Sequence, residues 1–293
     1  MNFSKMLRDY MKTPDKMVIA PGAYDGISAR LIAEAGFEAI YMTGAGTSAS
    51  KIGQPDLGLI TLTEMVANAT AIVECTRLPV IADADTGYGN PLNVIRTVRE
   101  YERSGVAAIH LEDQAFPKRC GHLEGKQILP AGEFIQKIKA AVDARRNEEF
   151  IIIARTDARS VHGFEEAVQR GNLYAEAGAD VIFIESPMTV EEMVDIPKLI
   201  KAPCLINMAG PASKTPALPN QELKKMGYKI AIYPAIAMDA VITSIRLALK
   251  RLREEGISWD PENIVGPQRF FEAVGLSTWR AYEKKYMFEK EGE

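Results

Sequence analysis

Eight short apolar runs recur along the chain, and each leads into a polar or glycine-rich turn and then a segment with helical periodicity. The runs are continuously hydrophobic rather than alternating, as a parallel strand requires when both of its faces are covered. The pattern therefore predicts strands and helices in strict alternation. The eight predicted strands are residues 17–20, 39–42, 80–82, 108–111, 150–154, 181–184, 204–207 and 230–233.

The segments between the apolar runs have the spacing of amphipathic helices, and several end at a glycine, as left-handed helix caps prefer. Eight strand-then-helix units predict a (β/α)8 TIM barrel. The rival is a doubly wound open sheet, but no G-x-G-x-x-G turn follows the first strand. The predicted helices are residues 26–35, 62–75, 92–104, 132–145, 164–177, 190–199, 220–226 and 238–253, with glycines at 36, 105, 178 and 227.

The pattern changes after Gly256, where a proline-containing link precedes two aromatic-rich helical segments, residues 267–274 and 278–289. A complete barrel has no place in its wall for a ninth and tenth helix. These helices are therefore expected to pack outside the barrel or on another subunit. We predict one barrel domain over residues 1–293, of which residues 257–293 form a C-terminal helical extension for oligomer contacts.

Composition excludes several classes of partner. Lys and Arg total 35 against 39 Asp and Glu, so the net charge is only −4, which suggests neither nucleic acid nor an anionic membrane as a partner. No apolar run approaches the length of a bilayer span, and residues 1–15 lack the apolar core of a signal peptide. The three cysteines have no paired spacing, which is typical of reduced thiols. We therefore expect a cytoplasmic protein.

Polar side chains cluster where the predicted strands end, which in a TIM barrel is the rim that carries the active site. Asp83 and Asp85 are two residues apart, so an extended strand would aim both carboxylates to the same side. Together with Glu112 they would form an all-oxygen site that suits Mg²⁺ or Mn²⁺ better than zinc. The alternative is that the aspartates cap the next helix or pair with Arg155.

Other rim residues suit an anionic substrate. Arg155 offers a planar fork that binds a carboxylate through two hydrogen bonds, although an ion pair with Glu185 or Asp113 is an alternative. The segment 43–45 offers backbone N–H groups that an anion can approach closely at Gly44. His110, on the interior of the fourth strand, is interpreted as structural.

Residues 118–122, Lys-Arg-Cys-Gly-His, set a thiol between cations and an imidazole. Neighbouring positive charge favours the thiolate, so Cys120 is a candidate catalytic cysteine with Lys118 and His122 as its neighbours. The alternative is a small buried hydrophobe, but the charges and Gly121 are wrong for a core segment.

Three motifs carry a family resemblance: residues 82–89 (Ala-Asp-Ala-Asp-Thr-Gly-Tyr-Gly), 118–122 and 154–158 (Ala-Arg-Thr-Asp-Ala). In this order, and over nearly the whole chain, the sequence resembles the isocitrate lyase and phosphoenolpyruvate mutase superfamily. Within it, the chain is most similar to the short bacterial lyases typified by 2-methylisocitrate lyase and 2,3-dimethylmalate lyase.

The resemblance implies a set of roles around bound Mg²⁺ or Mn²⁺ and a small carboxylate substrate. It also implies C-terminal helices exchanged between the subunits of a dimer, with dimers pairing into a homotetramer. The implied metal positions are Asp83 and Asp85, with Glu112 and Asp56 supporting the water shell of the ion. The implied substrate contacts are Thr43, Gly44, Ala45, Gly121, Arg155, Glu185 and Asn207.

These parts suit cleavage of a carbon–carbon bond in a 2-hydroxy di- or tricarboxylate. Cys120 would protonate the second product, with Lys118 and His122 assisting, and the base that deprotonates the substrate hydroxyl is either Tyr41 or Glu185. Oxaloacetate hydrolysis or decarboxylation is the nearest alternative. An alternative of another class is a non-catalytic barrel scaffold, and the joint presence of the carboxylates and the thiol argues against it.

The chain departs from the methylisocitrate lyase pattern at two points. That pattern has Thr-Glu-Phe-Gly after the asparagine of the seventh strand, where this chain has residues 208–211, Met-Ala-Gly-Pro. It also has an arginine where Asp239 stands. A tricarboxylate would lose a cation and meet an anion, so we expect a substituted malate such as 2,3-dimethylmalate. The alternative is that Asp239 points away from the barrel mouth into the following helix, where it would matter little. Pro234 makes oxaloacetate hydrolysis less favoured, and the Cys-Gly-His loop disfavours phosphonate chemistry.

Overall fold

Eight parallel strands close into a barrel in the order β1 to β8, and β8 pairs with β1. The computed structural model describes residues 1–121, 124–257 and 265–287. The predicted fold class is confirmed, and each observed strand overlaps its predicted run. The strands are β1 (Val18–Ala23), β2 (Ile40–Met42), β3 (Val80–Asp83), β4 (Ala108–Glu112), β5 (Ile151–Thr156), β6 (Val181–Ile184), β7 (Cys204–Asn207) and β8 (Ile230–Tyr233).

Helices alternate with the strands, and their predicted boundaries hold to within about two residues. The glycines at 36, 105, 178 and 227 all adopt positive φ just after a helix, as the sequence predicts. The helices are α1 (Phe3–Lys12), α2 (Gly26–Glu34), α3 (Gly44–Ile52), α4 (Leu62–Thr76), α5 (Pro91–Ser104), α6 (Ala131–Ala144), α7 (Ala158–Val161), α8 (Phe164–Glu176), α9 (Val190–Leu199), α10 (Asn220–Met226), α11 (Ile236–Glu255), α12 (Pro267–Ala273) and α13 (Leu276–Tyr286).

Two layers of apolar side chains explain why the strands are continuously hydrophobic. Alternate residues, such as Ile152 and Ile182, face the helices, while Ile151 and Ile153 belong to a separate interior cluster. Each strand is thus buried on both faces. The interior cluster also contains Val18, Ala20, Tyr41, Ile81, Ala108, Val181, Phe183, Leu205, Ile230 and Ile232.

Three helices were not predicted: α1, α3 and α7. Helix α1 joins Leu7 and Met11 to the interior cluster. Its start is capped by Asn2, whose side chain accepts from the backbone of Lys5. Helix α3 begins at Gly44, with Thr43 as its cap, so the glycine-rich turn after β2 is the first turn of a helix. These segments precede or interrupt the regular repeat, which is why periodicity did not reveal them.

The chain separates into two compact units, Met1–Met238 and Asp239–Glu293. The first contains all eight strands. In the second, α12 and α13 agree with the predicted aromatic-rich helices, although residues 288 and 289 of that prediction lie outside the described residues. Within the described ranges, no helix is both long enough and apolar enough to cross a membrane.

Candidate active site

The carboxyl ends of β2 to β7 bring the predicted polar residues to one rim of the barrel. Strand register sets Asp83 beside His110, and Glu112 beside Arg155 on the next strand. These side chains are almost completely buried. Charged groups buried this deeply need partners in the protein or a bound ion, because water no longer solvates them.

Asp83 accepts hydrogen bonds from three directions. The donors are the backbone N–H of Gly44 at 3.2 Å, the backbone N–H of Asp85 at 2.9 Å and the Tyr41 hydroxyl at 3.4 Å. A Cβ added at Gly44 would overlap the Asp83 carboxylate, which explains the glycine. The Gly44 N–H therefore donates to a carboxylate of the protein itself. The sequence suggested that it would donate to a substrate anion.

The expectation that Asp83 and Asp85 share one face of an extended strand is wrong. Strand β3 ends at Asp83, and Asp85 adopts the left-handed conformation with φ of 48°. This turn is sharp enough for the N–H of Asp85 to reach the Asp83 carboxylate. Helix α5 is capped by Asn90, so the alternative in which the aspartates cap that helix is also wrong.

Lys118 reaches Asp85 and Asp56 from the segment after β4. Its Nζ lies 2.6 Å from Asp85 Oδ1 and also contacts Asp56 Oδ1. Burial lowers the pKa of Lys118, but Asp85, Glu112 and Asp56 outweigh burial and hold that pKa well above its usual range. Burial raises the pKa of Asp85 to about 6, with Asp83 adding to the rise and Lys118 opposing it. One lysine thus does not fully compensate these carboxylates.

The rim residues fit a hard divalent cation. Burial raises the pKa of Glu112 well above its usual range, and its Oε1 has no hydrogen-bond partner among the described residues. No group of three or more His, Cys, Asp or Glu in that part of the chain has the geometry of direct metal ligands. Mg²⁺ commonly binds through only one or two carboxylates and keeps its waters, so Asp83 and Asp85, with Glu112 and Asp56 behind waters, suit it.

Arg155 lies at the centre of a buried ring of acceptors. Its guanidinium is 3.2 Å from Glu112 Oε2 and 3.6 Å from Glu185 Oε2, and Nε donates to Asp157 at 2.9 Å. The alternative ion pair with Glu185 is therefore present. Asn207 donates to Glu185 Oε2 at 3.1 Å, which ties β6 and β7 to the same group.

Gly121 brings residues 118–121, the thiol segment or Cys120 segment, onto the ring of acceptors around Arg155. A Cβ added at Gly121 would lie 2.5 Å from Arg155 Nη2 and 2.7 Å from Glu185 Cγ. Only a glycine allows this approach, and Cys120, the residue before it, is partly exposed. His122 lies outside the described residues.

The two cations that precede Cys120 in the chain are engaged elsewhere. Lys118 is held by Asp56 and Asp85, and the Arg119 guanidinium donates to the Glu124 carbonyl at 3.0 Å. The sequence suggested that both tune the thiol. In the structure, Lys118 connects its own segment to the carboxylates of Asp56 and Asp85.

Sequence reasoning missed the part that His110 takes in the site. Its Nε2 lies 2.8 Å from the Tyr41 hydroxyl and 3.4 Å from Asp83 Oδ1. Burial raises the pKa of Tyr41 well above its usual range, and Asp83 adds to the rise, so the hydroxyl is a proton donor in this environment. The signal available in the sequence was an inward-facing imidazole on the strand that ends at Glu112.

The fold and this rim define a (β/α)8-barrel enzyme in which buried carboxylates and an arginine lie together, next to the segment that carries Cys120. Residues 7–253 match the family model described as phosphoenolpyruvate phosphomutase. The chain therefore belongs to the phosphoenolpyruvate mutase and isocitrate lyase superfamily. Its similarity to a 2,3-dimethylmalate lyase and a 2-methylisocitrate lyase shows that it is a carbon–carbon lyase.

Individual relatives cover almost the whole chain. A 2,3-dimethylmalate lyase of Eubacterium barkeri is 50% identical over 98% of this chain and 99% of its own. A 2-methylisocitrate lyase of Aeropyrum pernix is 43% identical over 96% of this chain and 89% of its own. The solved structure of oxaloacetate acetylhydrolase with the inhibitor 3,3-difluorooxalacetate superposes with a TM-score of 0.93 at 40% identity, covering 97% of each chain.

Proposed function

We propose that this lyase cleaves 2,3-dimethylmalate or a related 2-alkylmalate, with Mg²⁺ or Mn²⁺ bound at the rim. The products would be a 2-oxoacid such as pyruvate and a second carboxylate. The observation that carries the proposal is the 50% identity to a 2,3-dimethylmalate lyase over nearly the full length of both chains. The chemistry of the rim supports it independently, because buried carboxylates and an arginine lie together there, next to the segment that carries the thiol.

The ion would be held by Asp83 and Asp85, with Glu112 and Asp56 contacting it through water. Bound Mg²⁺ stabilises negative charge on the α oxygen of a 2-hydroxycarboxylate or 2-oxocarboxylate. Lys118 contacts Asp56 and Asp85, so it links the thiol segment to this site.

Arg155 and Asn207 would bind the substrate together with Thr43, Ala45 and Gly121. Arg155 has the planar fork that matches a carboxylate, and Asp157 orients it through Nε. Gly44 acts through its hydrogen bond to Asp83.

Glu185 is the base that removes the proton of the C2 hydroxyl. The other candidate, Tyr41, is disfavoured because its raised pKa keeps the phenol protonated. After deprotonation, the C2–C3 bond breaks, a carbonyl forms at C2, and the electron pair passes to C3. Cys120 then protonates C3 of the departing enolate, with Lys118 and His122 stabilising charge.

The segment after β7 supports a dicarboxylate substrate. Residues 208–211, Met-Ala-Gly-Pro, directly follow β7 and offer neither a cationic side chain nor a hydroxyl to a third carboxylate. Asp239 stands where the methylisocitrate lyase pattern has an arginine. A substrate with three carboxylates would therefore bind less tightly.

Two further activities have support among the relatives. A 2-methylisocitrate lyase is 43% identical, and oxaloacetate acetylhydrolase has nearly the same fold. The departures in the segment after β7 and at Pro234 favour the alkylmalate.

We also propose that the enzyme is a cytoplasmic homotetramer. Lys and Arg total 35 against 39 Asp and Glu, which favours neither nucleic acid nor an anionic membrane as a partner. The aromatic side chains exposed on α12 and α13 support self-association.

The deciding experiment compares kcat/KM for 2,3-dimethylmalate, other 2-alkylmalates, 2-methylisocitrate and oxaloacetate, with Mg²⁺ present. We expect the highest value for a 2-alkylmalate and no turnover after chelation. The Asp83→Asn/Asp85→Asn variant, purified identically, measures the contribution of contaminating lyases. A clear preference for 2-methylisocitrate would overturn the dicarboxylate assignment, and full activity after exhaustive chelation would overturn the metal assignment.

A further inference from the structure

Asp157 binds two cations that come from different parts of the rim. One is Arg155, whose Nε and Nη2 donate to the carboxylate at 2.9 and 3.2 Å. The other is Lys126, whose Nζ donates to Asp157 Oδ1 at 2.7 Å. Burial raises the pKa of Asp157, but Arg155 and Lys126 outweigh it and lower that pKa to about 2. The carboxylate is therefore ionised and shared between both partners.

Lys126 also holds the backbone beside the thiol. Its Nζ donates to the carbonyl oxygen of Gly121, the residue that follows Cys120. Ser186 adds a second, longer hydrogen bond from its hydroxyl to the same oxygen. The ammonium thus connects Asp157 directly to the peptide group that packs on Arg155 and Glu185.

The Lys126 ammonium is buried, so it is stabilised only when it contacts both Asp157 and Gly121. The side chain is only 2% exposed, although it belongs to a segment between β4 and α6 whose neighbour, Glu124, is exposed. A lysine on a surface segment normally extends its charged end into water. Here the cost of desolvation is offset only while Asp157 and Gly121 remain within hydrogen-bonding distance.

Asp157 is itself held in place from behind. Its backbone N–H donates to Asp113 Oδ1 at 3.0 Å, and Asp113 also accepts from Thr156 at 2.7 Å and from Tyr174 at 2.9 Å. All of these groups are buried. A carboxylate anchored in this way is a fixed reference point to which a surface segment can be aligned.

We propose that Asp157 and Lys126 are positioning residues that couple the Cys120 segment to Arg155, so that thiol and substrate-binding guanidinium are aligned by one shared carboxylate. The inference rests on the proposed function for its catalytic consequence. Its structural part, the attachment of the Cys120 segment through Lys126, is testable without substrate.

The first test is hydrogen–deuterium exchange of peptides that carry Lys118 to Gly121 in the full-length protein. Lys126→Met keeps most of the buried side chain and removes the ammonium. We expect these amides to exchange about tenfold faster in this variant. Lys214→Met is the matched control, because it removes a cation that pairs with Glu124 of the same segment on the exposed side. We expect its exchange to stay within about twofold of wild type.

The second test separates kcat from KM. Lys126→Met leaves the Arg155–Asp157 pair intact, so kcat should fall about 10- to 100-fold with KM within about threefold. Asp157→Asn disturbs both partners and should also raise KM. Lys126→Gln, whose amide can still donate to Gly121, should recover part of the loss. The double variant Lys126→Met/Asp157→Asn should be no slower than Asp157→Asn alone, because both changes break the same Lys126–Asp157 contact.

Wild-type exchange and wild-type kcat in a folded Lys126→Met variant would overturn the inference. Equal acceleration of exchange in Lys126→Met and Lys214→Met would also overturn it, because any loss of surface charge would then suffice. If the wild-type enzyme turns over none of the proposed acids, the proposed function fails, while the exchange experiment still decides whether Lys126 holds the Cys120 segment.

Discussion

At the residue scale, the site depends on carboxylates that are buried with too few cations. Asp85 is the clearest case, since its pKa is raised to about 6 by burial although Lys118 lies 2.6 Å away. A raised pKa means that the folded protein binds this proton more tightly than the unfolded chain. The contribution of Asp85 to stability is therefore present below its ordinary pKa of 3.8 and is lost as the pH rises through about 6.

Metal binding should depend on the same titration. Mg²⁺ competes with the proton on Asp85, so we expect the affinity for Mg²⁺ to fall by up to about tenfold per pH unit below about 6 and to level off above it. Calorimetric titration between pH 5 and pH 8 measures this. Asp85→Asn should bind Mg²⁺ weakly at every pH. A wild-type affinity that is constant across this range would contradict the prediction.

A second prediction at the residue scale concerns the Cys120 thiol. A serine hydroxyl is far too weak an acid to protonate the departing enolate, so Cys120→Ser should lower kcat by about 10²- to 10⁴-fold while folding and substrate binding persist. The matched control is Cys75→Ser. The sulfur of Cys75 donates to the backbone carbonyls of Gly26 in α2 and Ile72 in α4. Near-normal turnover of Cys120→Ser would remove the cysteine from the mechanism.

At the scale of elements, each strand is buried on both faces, and α1 completes the interior cluster. Leu7 and Met11 of α1 belong to the same cluster as Ile151, Ile153 and Ile230. The polar rim lies at the carboxyl ends of the strands. Glu112 is the last residue of β4, and Arg155 is the next-to-last residue of β5. Helix α1 lies near the start of β5, where Arg8 donates to the carbonyls of Glu149 and Phe150, so the predicted catalytic groups lie at the other end of the strands.

This separation predicts the result of truncating Leu7. Leu7 is fully buried, so Leu7→Ala should lower the free energy of unfolding by about 3 kcal/mol through lost burial and a cavity. KM should be unchanged. Leu92→Ala, on an exposed leucine of α5, should stay within about 0.5 kcal/mol. Urea unfolding and steady-state kinetics measure both effects, and a changed KM in folded Leu7→Ala would show that the two ends are not independent.

At the scale of the whole molecule, the second compact unit carries large apolar side chains that the chain does not bury. None of the residues described in α11, α12 and α13 is buried, and the exposed set includes aromatic side chains. Its members are Ile242, Ile245, Leu247, Leu249, Leu252, Phe270, Phe271, Trp279, Tyr282 and Tyr286. Large exposed apolar side chains in such number are uncommon on a soluble monomer, so we expect them to contact another chain.

We therefore predict an obligate oligomer. Sedimentation velocity at micromolar concentration should show no monomer, and Trp279→Glu should shift the distribution toward smaller species because a charge would be desolvated in the contact. The change should leave the far-ultraviolet circular dichroism of the barrel intact. A wild-type monomer that is stable at this concentration would contradict the prediction.

The sequence alone was sufficient for the barrel and for most members of its rim. Apolar runs and helical periods depend on local preferences, so β6, β7 and β8 were predicted to the residue. The carboxyl ends of parallel strands necessarily meet at one rim of a barrel. The proximity of Asp83, Glu112 and Arg155 could therefore be predicted from the sequence alone.

Only the tertiary structure decided which groups pair. Lys118 stands beside Cys120 in sequence yet binds Asp85 and Asp56, because buried carboxylates attract an ammonium more strongly than a partly exposed thiol does. The left-handed turn at Asp85 and the attachment of Lys126 to Asp157 likewise depend on contacts between residues far apart in the chain. Such contacts leave no periodic signal, since they are selected by burial and charge in the folded molecule rather than by local propensity.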